Sequence, residues 1–453
     1  MSASAPHPQP ARGDVLVIGA GVIGICTAHY LLAAGYRPLI VDKGDVAAGA
    51  SYANAGLIVP SSWEPIVRPD TVDSLPRWIM QSRGAIYAPL GAMLQHRSWW
   101  RSFLEAADPT RYERAVQVLY RLVGTSVDLY RQLDAELNLD CQFRAQGSLS
   151  LFLSPAALRR GAERALEHRA RGGAAAVLDP KAVRRLVPQV TSRVAGGVLY
   201  PEDGQVSPGD FVKSLAQSVA DRGAEFRLHT EVLGFETAGD RITGACTTQG
   251  TIACDQAVLA TGAWSGRLGH ALGLQIPVQP AKGYSYTFPR PAGFPDLGLN
   301  LGERHVALNP LAQTVRVAGT LEFSGFDDRL HLPRAQLLNA ATQEYLGLEC
   351  SPEAVEIWRG WRPMTPDGVP VVQWSPRYAN LLLAVGHNKV GMTLGPVTGK
   401  LVAQVLQDEP TGFEELALDL GRFRTISPAS RRTDLSQAPA KSVLNRLSGN
   451  MVR

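Results

Sequence analysis

The sequence predicts an α/β protein (α+β overall). A Rossmann-type dinucleotide-binding domain is interleaved with a substrate domain built on a mixed or antiparallel sheet and extended by a helical insertion. Three observations lead there. A strand, a glycine turn, a helix, a second strand and an acid follow one another between Asp14 and Asp42. Elements suited to the same sheet resume only near residue 210 and again after residue 380. From Pro277 to about Leu348 the chain reads as antiparallel strands and turns. The implied boundaries are a leader at 1–13, the dinucleotide-binding domain at 14–62, 205–270 and 355–420, the substrate domain with its insertion at 63–204 and 271–354, and a tail at 421–453.

Single cores stop growing near about 250–300 residues, so 453 residues call for two domains. The apolar fraction of 45% and charged fraction of 19% suit a globular chain. A net charge of +4 with no basic block argues against nucleic-acid binding. The cysteines Cys26, Cys141, Cys246, Cys254 and Cys350 form no CxxC pair and no zinc spacing, and read as buried free thiols. The leader lacks the apolar core of a secretion signal, and no stretch has the ~18 apolar residues of a membrane span. The Pro- and Ser-containing tail reads as disordered.

Val15 to Ile18 is an unbroken aliphatic run, the mark of a buried parallel strand. Gly19-x-Gly21-x-x-Gly24 follows at once. Gly19 allows the tight turn, Gly21 lets a pyrophosphate approach the backbone, and Gly24 lets helix and sheet pack closely. The helix that begins at Val22 and Ile23 directs free N–H groups and a positive dipole end at phosphate. The strand Leu39 to Asp42 ends in a carboxylate placed to hold a ribose hydroxyl, with Lys43 beside it. An interrupted sheet, which clamps one dinucleotide with segments from both ends of the chain, favours FAD over NAD.

Gly49 to Pro60 is nearly devoid of bulk before Leu57. Small side chains let backbone N–H groups reach a flat ligand, and Ser51 and Asn54 can add hydrogen bonds. The alternative is a flexible connector. GAGVIG, then an acid, then Ser-x-Ala-Asn-Ala-Gly at 51–56 resembles the small-subunit group of D-amino acid dehydrogenases. That group lies within the superfamily of D-amino acid oxidase, glycine oxidase and sarcosine oxidase, and the likeness runs to about residue 410. It implies FAD held by Gly19, Gly21, Val22, Ile23, Gly24, Asp42, Lys43, Ser51, Asn54, Ala55, Gly56 and Leu57.

Trp63 to Asp140 reads as helical. Asp108-Pro109 starts a helix with proline in its first turn, and Tyr112, Val116, Leu119, Val123, Val127, Tyr130, Leu133 and Leu137 mark one buried stripe. The preceding stretch interleaves Trp78, Trp99, Trp100 and Phe103 with Arg77, Arg83, Arg97 and Arg101. It is read as an insertion packed on the substrate domain, or as a helix docked on a membrane surface. The resemblance keeps the second reading open, because the related dehydrogenases are membrane-associated and quinone-linked.

The helix Phe211 to Arg222 and the strand Glu225 to His229 return the chain to the dinucleotide fold. By resemblance, Val232 meets the adenine end of the cofactor, and Thr261, Gly262 and Trp264 close over it. Pro280 to Phe288 is the clearest strand of the second sheet, half-buried by its alternation; Tyr284 and Tyr286 contact substrate or pack across strands. Leu381 to Ala403 runs as a buried strand, a glycine-broken loop and a helix, bringing Gly386, His387, Lys389, Val390, Gly391, Met392 and Thr393 to the ring end of the flavin. His387 is read as positioning backbone rather than as a base.

Arg362 stands between Trp361 and Pro363, just before the turn Thr365-Pro-Asp-Gly368. A planar, always charged guanidinium grips a carboxylate with two parallel bonds, and the proline and turn stiffen its mount. A structural ion pair is the alternative. The stretch resembles the Arg-Pro-x-Thr-x-Asp-Gly motif in which the arginine binds the substrate carboxylate. Lys389 departs from the small neutral residue common in the nearest group; it binds an extra carboxylate or tunes the flavin, so an opine-type N-carboxyalkyl amino acid rivals a neutral D-amino acid as substrate.

Arg362 and Lys389 are therefore the expected catalytic residues. The implied reaction is oxidative deamination of an amino acid, D by resemblance, to the 2-oxo acid, with hydride transfer to flavin N5 and a quinone or oxygen as acceptor. A glycine or sarcosine oxidase-like enzyme, or an opine-type subunit with a partner subunit, is the alternative. No cysteine lies between Arg359 and Asp367, where sarcosine oxidases attach flavin, so FAD is expected to be non-covalent. The expected location is cytoplasmic, with peripheral contact at the inner membrane face left open.

Overall fold

A computed structural model describes residues 14–348 and 356–426. The expected leader, Cys350 and the tail beyond residue 426 lie outside the described residues. Asp14–Ile18 is the heart of a six-stranded sheet, ordered Val371–Trp374, Leu381–Val385, Gln256–Leu259, Asp14–Ile18, Arg37–Val41 and Glu225–Arg227. All neighbours are parallel except the first pair. Val15, Leu16, Val17 and Ile18 are all buried because apolar layers cover both faces. On one face lie the helices Val22–Ala33, Pro208–Asp221 and Gly391–Leu406. On the other lies an antiparallel meander of Val232–Ala238, Arg241–Thr247 and Gly250–Ala253.

Two helices from opposite ends of the chain pack unusually closely. A Cβ at Gly399 would lie 2.5 Å from the backbone of Cys26, and one at Gly395 2.6 Å from Val22. These small faces let Val22–Ala33 and Gly391–Leu406 direct their N-termini into one cavity. Pro396 cannot donate to the carbonyl of Met392, and the buried hydroxyl of Tyr130 donates to it instead, at 2.8 Å.

The predicted helix from Pro109 is two helices, Pro109–Gly124 and Ser126–Leu137, broken at Thr125 without loss of the apolar stripe. Asp108 caps the first through Thr110 and Arg111. Both pack against Gly391–Leu406 in the core of the dinucleotide-binding unit, not on the substrate sheet. The preceding insertion turns Trp99, Trp100 and Phe103 inward against Phe323, Ala281 and Met364. No helix among the described residues is long and apolar enough to cross a membrane.

The second sheet has nine strands. Gln279–Pro289 pairs with Glu356–Met364 on one side and Thr314–Glu322 on the other. Two expectations change here. Glu356–Met364, the strand carrying Arg362, belongs to this sheet, so the stretch 355–420 divides between the two sheets. Gln279–Pro289 is buried on both faces rather than half-buried, because the cavity wall lies on one side and the helix Leu332–Leu346 on the other.

Candidate active site

A cavity of about 1340 Å³ runs between the two sheets. One part of its wall is the glycine turn. Gly19 has φ +116, and a Cβ there would sit 2.5 Å from the carbonyl oxygen of Ala260, so only glycine fits without strain. A Cβ at Gly24 would lie 1.8 Å from the Gly19 oxygen, which makes Gly24 the closing contact between helix and turn. The helix Val22–Ala33 has no side-chain cap and no acid in its first turn, though Ser51 Oγ accepts the Val22 N–H at 2.9 Å. The Asp42 carboxylate accepts from Ala20 N at 2.7 Å and Gly44 N at 2.9 Å, and burial raises its pKa despite those donors.

The small-residue loop organises itself before it meets any ligand. Asn54 donates to Ala50 O and accepts from Gly56 N. Ser51, Asn54, Ala55, Gly56 and Leu57 all line the cavity. Beside them, Lys43 Nζ stands 4.0 Å from the centre of the Trp264 ring, and Val232, Thr261 and Gly262 complete this wall.

His387, Lys389, Val390, Gly391 and Met392 also line the cavity, with the helix Gly391–Leu406 again lacking a side-chain cap or an early acid. Two neighbouring helix N-termini directed into one cavity, neither with an acid in its first turn, fit FAD, which carries a pyrophosphate and an electron-accepting ring. His387 is buried, bonds Thr398 Oγ1 at 2.9 Å, and has its pKa pushed down to about 3 by burial, so its ring is neutral. Gly386 and Thr393 do not line the cavity. Gly386, at φ +77, packs against Thr365, and Thr393 holds Leu57 O and Val59 N.

Arg362 faces this cavity from the large sheet. Opposite it, Thr314–Glu322 carries a bulge, where pairing slips between Lys282 and Tyr284. The bulge puts Thr320 at φ +58, a costly conformation for a β-branched residue, and turns its carbonyl to accept Arg362 Nη1 at 3.0 Å. No carboxylate pairs with Arg362 among the described residues. Burial alone draws its pKa down to about 10, so it stays charged. The structural ion pair is thereby removed as an explanation.

Gly283 makes the room, since a Cβ there would lie 1.6 Å from Arg362 Nη1. Gly283→Ala should therefore displace the guanidinium while leaving the fold and flavin content intact. A loss of about 10²-fold in kcat/KM for carboxylate substrates is expected, as for other displacements of about 1 Å. Unchanged steady-state kinetics in a folded variant would count against this seat.

Tyr284 and Tyr286 are a correction. Residues 281 and 283 face the arginine, so the pleat turns 284 and 286 to the opposite side. Both are buried in the core against Leu332–Leu346, and Tyr284 donates to Glu322 at 2.9 Å.

Several positions escaped sequence reasoning. Asn388, at φ +51, ties the two halves together. Its N–H donates to Pro363 O, its Oδ1 accepts from Thr365 N, and its Nδ2 donates to Thr365 Oγ1 and Gly386 O. The loop before the second helix is thus fastened to the end of the arginine strand. Asp203, fully buried, takes Ser61 N, Ser61 Oγ and Ser148 Oγ, and its pKa is pushed up to about 6 by burial. It pins a cavity-lining loop to the large sheet. His305 lines the far wall, with its pKa lowered to about 4 by burial and then by Lys389, Arg164 and Arg68. An Asn, a residue type enriched at positive φ, in the short loop between Gly386 and Gly391 was the one local signal available for any of these.

The family described as DAO, FAD dependent oxidoreductase, matches residues 14–405. A protein of Bradyrhizobium diazoefficiens named D-amino acid dehydrogenase is 31% identical over 90% of this chain and 98% of its own. One of the same name from Granulibacter bethesdensis is 30% identical over 90% of this chain and 99% of its own. Among solved structures, glycine oxidase from Geobacillus kaustophilus superposes with a TM-score of 0.74 at 24% identity, covering 94% of this chain and all of that one.

Proposed function

The chain belongs to the DAO family of FAD-dependent oxidoreductases, and from that premise we propose that it oxidises the α-carbon of an amino acid to the 2-oxo acid. The D configuration follows the relatives named D-amino acid dehydrogenase. The observation that carries this reading is Arg362: a charged, carboxylate-free guanidinium facing the same cavity as the two helix N-termini.

Gly19, Gly21, Val22, Ile23 and Asp42 would hold the dinucleotide, and His387 to Met392 the ring. FAD held there supplies a two-electron acceptor. Arg362 fixes the substrate by its carboxylate, so that one C–H bond is presented in one orientation. The bulge at Thr320 and the Asn388 bonds keep that arginine in fixed relation to the loop at 386–391. We assign no side chain the part of base, since His387 is engaged with Thr398. The oxidised product, a 2-imino acid, takes up water and releases ammonia.

We propose a quinone as the electron acceptor. Peripheral contact with a membrane would fall on Met80, Leu90 and Leu94, which are exposed on the insertion near Arg77 and Arg83. With no cysteine from Arg359 to Asp367, we hold the flavin to be non-covalent.

The test is anaerobic mixing of the purified yellow protein with D- and L-alanine and D- and L-proline, followed at the flavin band near ~450 nm. D-isomers should bleach it, and a soluble quinone should restore it faster than oxygen does. If no amino acid of either configuration bleaches the band, the reading fails. Peroxide formation at the rate of turnover would move the protein to the oxidases.

A further inference from the structure

Thr320 lends Arg362 its carbonyl, and that bond leaves the rest of the residue unexplained. The bond, 3.0 Å from Nη1 to the Thr320 oxygen, is made by main chain, so any residue could supply it. Glycine would supply it without strain, because φ +58 is open to glycine and costly for a β-branched residue. A threonine stands there instead, and no hydrogen bond among the described residues uses its hydroxyl. The residue is only 5% exposed, so the unpaired hydroxyl is a second cost on top of the strain. Costs of this kind collect where ligands are held.

Strand pairing gives the place of this side chain. Gly319 pairs with Tyr284 and Glu322 with Lys282. Tyr284 lies on the face turned from the arginine, and a Cβ at Gly319 would meet Leu338 on that same face. The bulge leaves Thr320 and Leu321 opposite Gly283, whose missing Cβ makes room for the guanidinium. Both line the cavity, as does Arg362. Arg362 donates from Nη1 alone, so its Nη2 and Nε are bonded to no described residue. Of the buried side-chain groups left unpaired among the described residues, only those of Thr320 and Trp361 belong to residues of the cavity wall. Trp361 pairs with Lys282, and its ring packs against Trp264 and Phe326.

On the amino-acid reading above, we propose that Thr320 is a substrate-binding residue whose hydroxyl donates to the α-carboxylate held by Arg362. Each carboxylate oxygen accepts more than one bond, so the fork of the arginine does not exhaust it. The fork holds the carboxylate in its own plane. A further donor from the neighbouring strand stops it pivoting there, which matters where rate comes from orientation. One staggered turn about χ1 exchanges the hydroxyl and the methyl, and brings the hydroxyl to the wall without moving the carbonyl on Arg362. The substrate amino group is the alternative partner. The carboxylate is favoured because it is the group drawn to the guanidinium that Thr320 itself holds.

The experiment compares flavin-loaded wild type with Thr320→Val, Thr320→Ser and Thr320→Ala, all of which keep the carbonyl on Arg362. KM is measured for the amino acid that best bleaches wild type. Kd for butyrate, a carboxylate with no amine to oxidise, is read from its shift of the flavin band. Thr320→Val keeps the branch and the shape and loses only the hydroxyl. Both constants should rise about 10- to 150-fold in it, the range for a hydrogen bond to a charged group. Thr320→Ser should hold both close to wild type. Should Thr320→Val not fold, Thr320→Ala against Thr320→Ser makes the same comparison. Constants unmoved without the hydroxyl, or Thr320→Val like wild type with Thr320→Ser impaired, overturn the proposal and leave the amino-acid reading standing. A KM that moves while the butyrate Kd does not puts the hydroxyl on the amino group and overturns the carboxylate contact. Wild type bleached by no amino acid overturns that earlier reading, and the butyrate series then decides Thr320 by itself.

Discussion

Arg362→Met should purify yellow and folded, and should raise KM for carboxylate substrates by about 30- to 4,000-fold. The magnitude follows from truncating one partner of a buried, hydrogen-bonded charge pair, about 2–5 kcal/mol, at about 1.4 kcal/mol per factor of ten. Flavin content should persist because Arg362 is carried by the large sheet, whereas the glycine cradle belongs to the six-stranded one. Arg362→Lys should recover only part of the loss, since an ammonium keeps the charge but not the planar fork. Substrate saturation with flavin reduction followed directly separates the possibilities. A KM within twofold of wild type in a folded, yellow Arg362→Met removes the arginine from substrate binding, and with it the main support for the proposed reaction.

The parts of this site that were legible in the sequence are those whose physics is local. The cradle is one continuous strand, turn and helix, so Gly19, Gly21 and Gly24 could be given separate tasks from their spacing. Arg362 stood out because proline and a Pro-Asp-Gly turn follow it directly. Tyr284 and Tyr286 misled because Gln279–Pro289 is covered on both faces, so the alternation of Tyr284, Tyr286 and Phe288 with Ser285 and Thr287 did not tell the cavity side from the core side. Only pairing with Glu356–Met364 shows that Gly283 is on the arginine's side. Thr320 was invisible for a similar reason: its positive φ exists because a bulge displaces it between two paired strands. The break at Thr125 was missed because the apolar stripe continues through it in phase.

Asn388 shows what long-range closure adds. Its four bonds join residues 386 and 388 to 363 and 365. The arginine belongs to the substrate sheet, and the helix that would face the flavin belongs to the cofactor sheet. Without this fastening, their separation would depend on two independently packed cores. With it, a carboxylate held by Arg362 keeps a fixed register to the loop at 386–391, which is the geometric requirement of a reaction that relies on orientation.

The other large effect is expected at the glycine turn. A Cβ at Gly24 meets the Gly19 carbonyl oxygen at 1.8 Å, and backbone cannot swing aside as a side chain can. Gly24→Ala must push the helix Val22–Ala33 off the turn or bend the turn itself, and either movement spoils the phosphate cradle. Overpacking of this kind costs about 1–3 kcal/mol in the fold alone. Loss of bound flavin removes a further stabilisation, about 2.7 kcal/mol for a ligand present at 100 times its Kd. The variant should therefore emerge with less than about a tenth of the wild-type flavin per chain and a lowered melting temperature that added FAD does not restore. Gly124→Ala is the control, because nothing lies within 4 Å of a Cβ there; it should keep its flavin and gain slightly in stability from the better helix former. Absorbance at the flavin band relative to protein reads both variants. A Gly24→Ala protein as yellow as wild type would mean that the turn does not hold the dinucleotide.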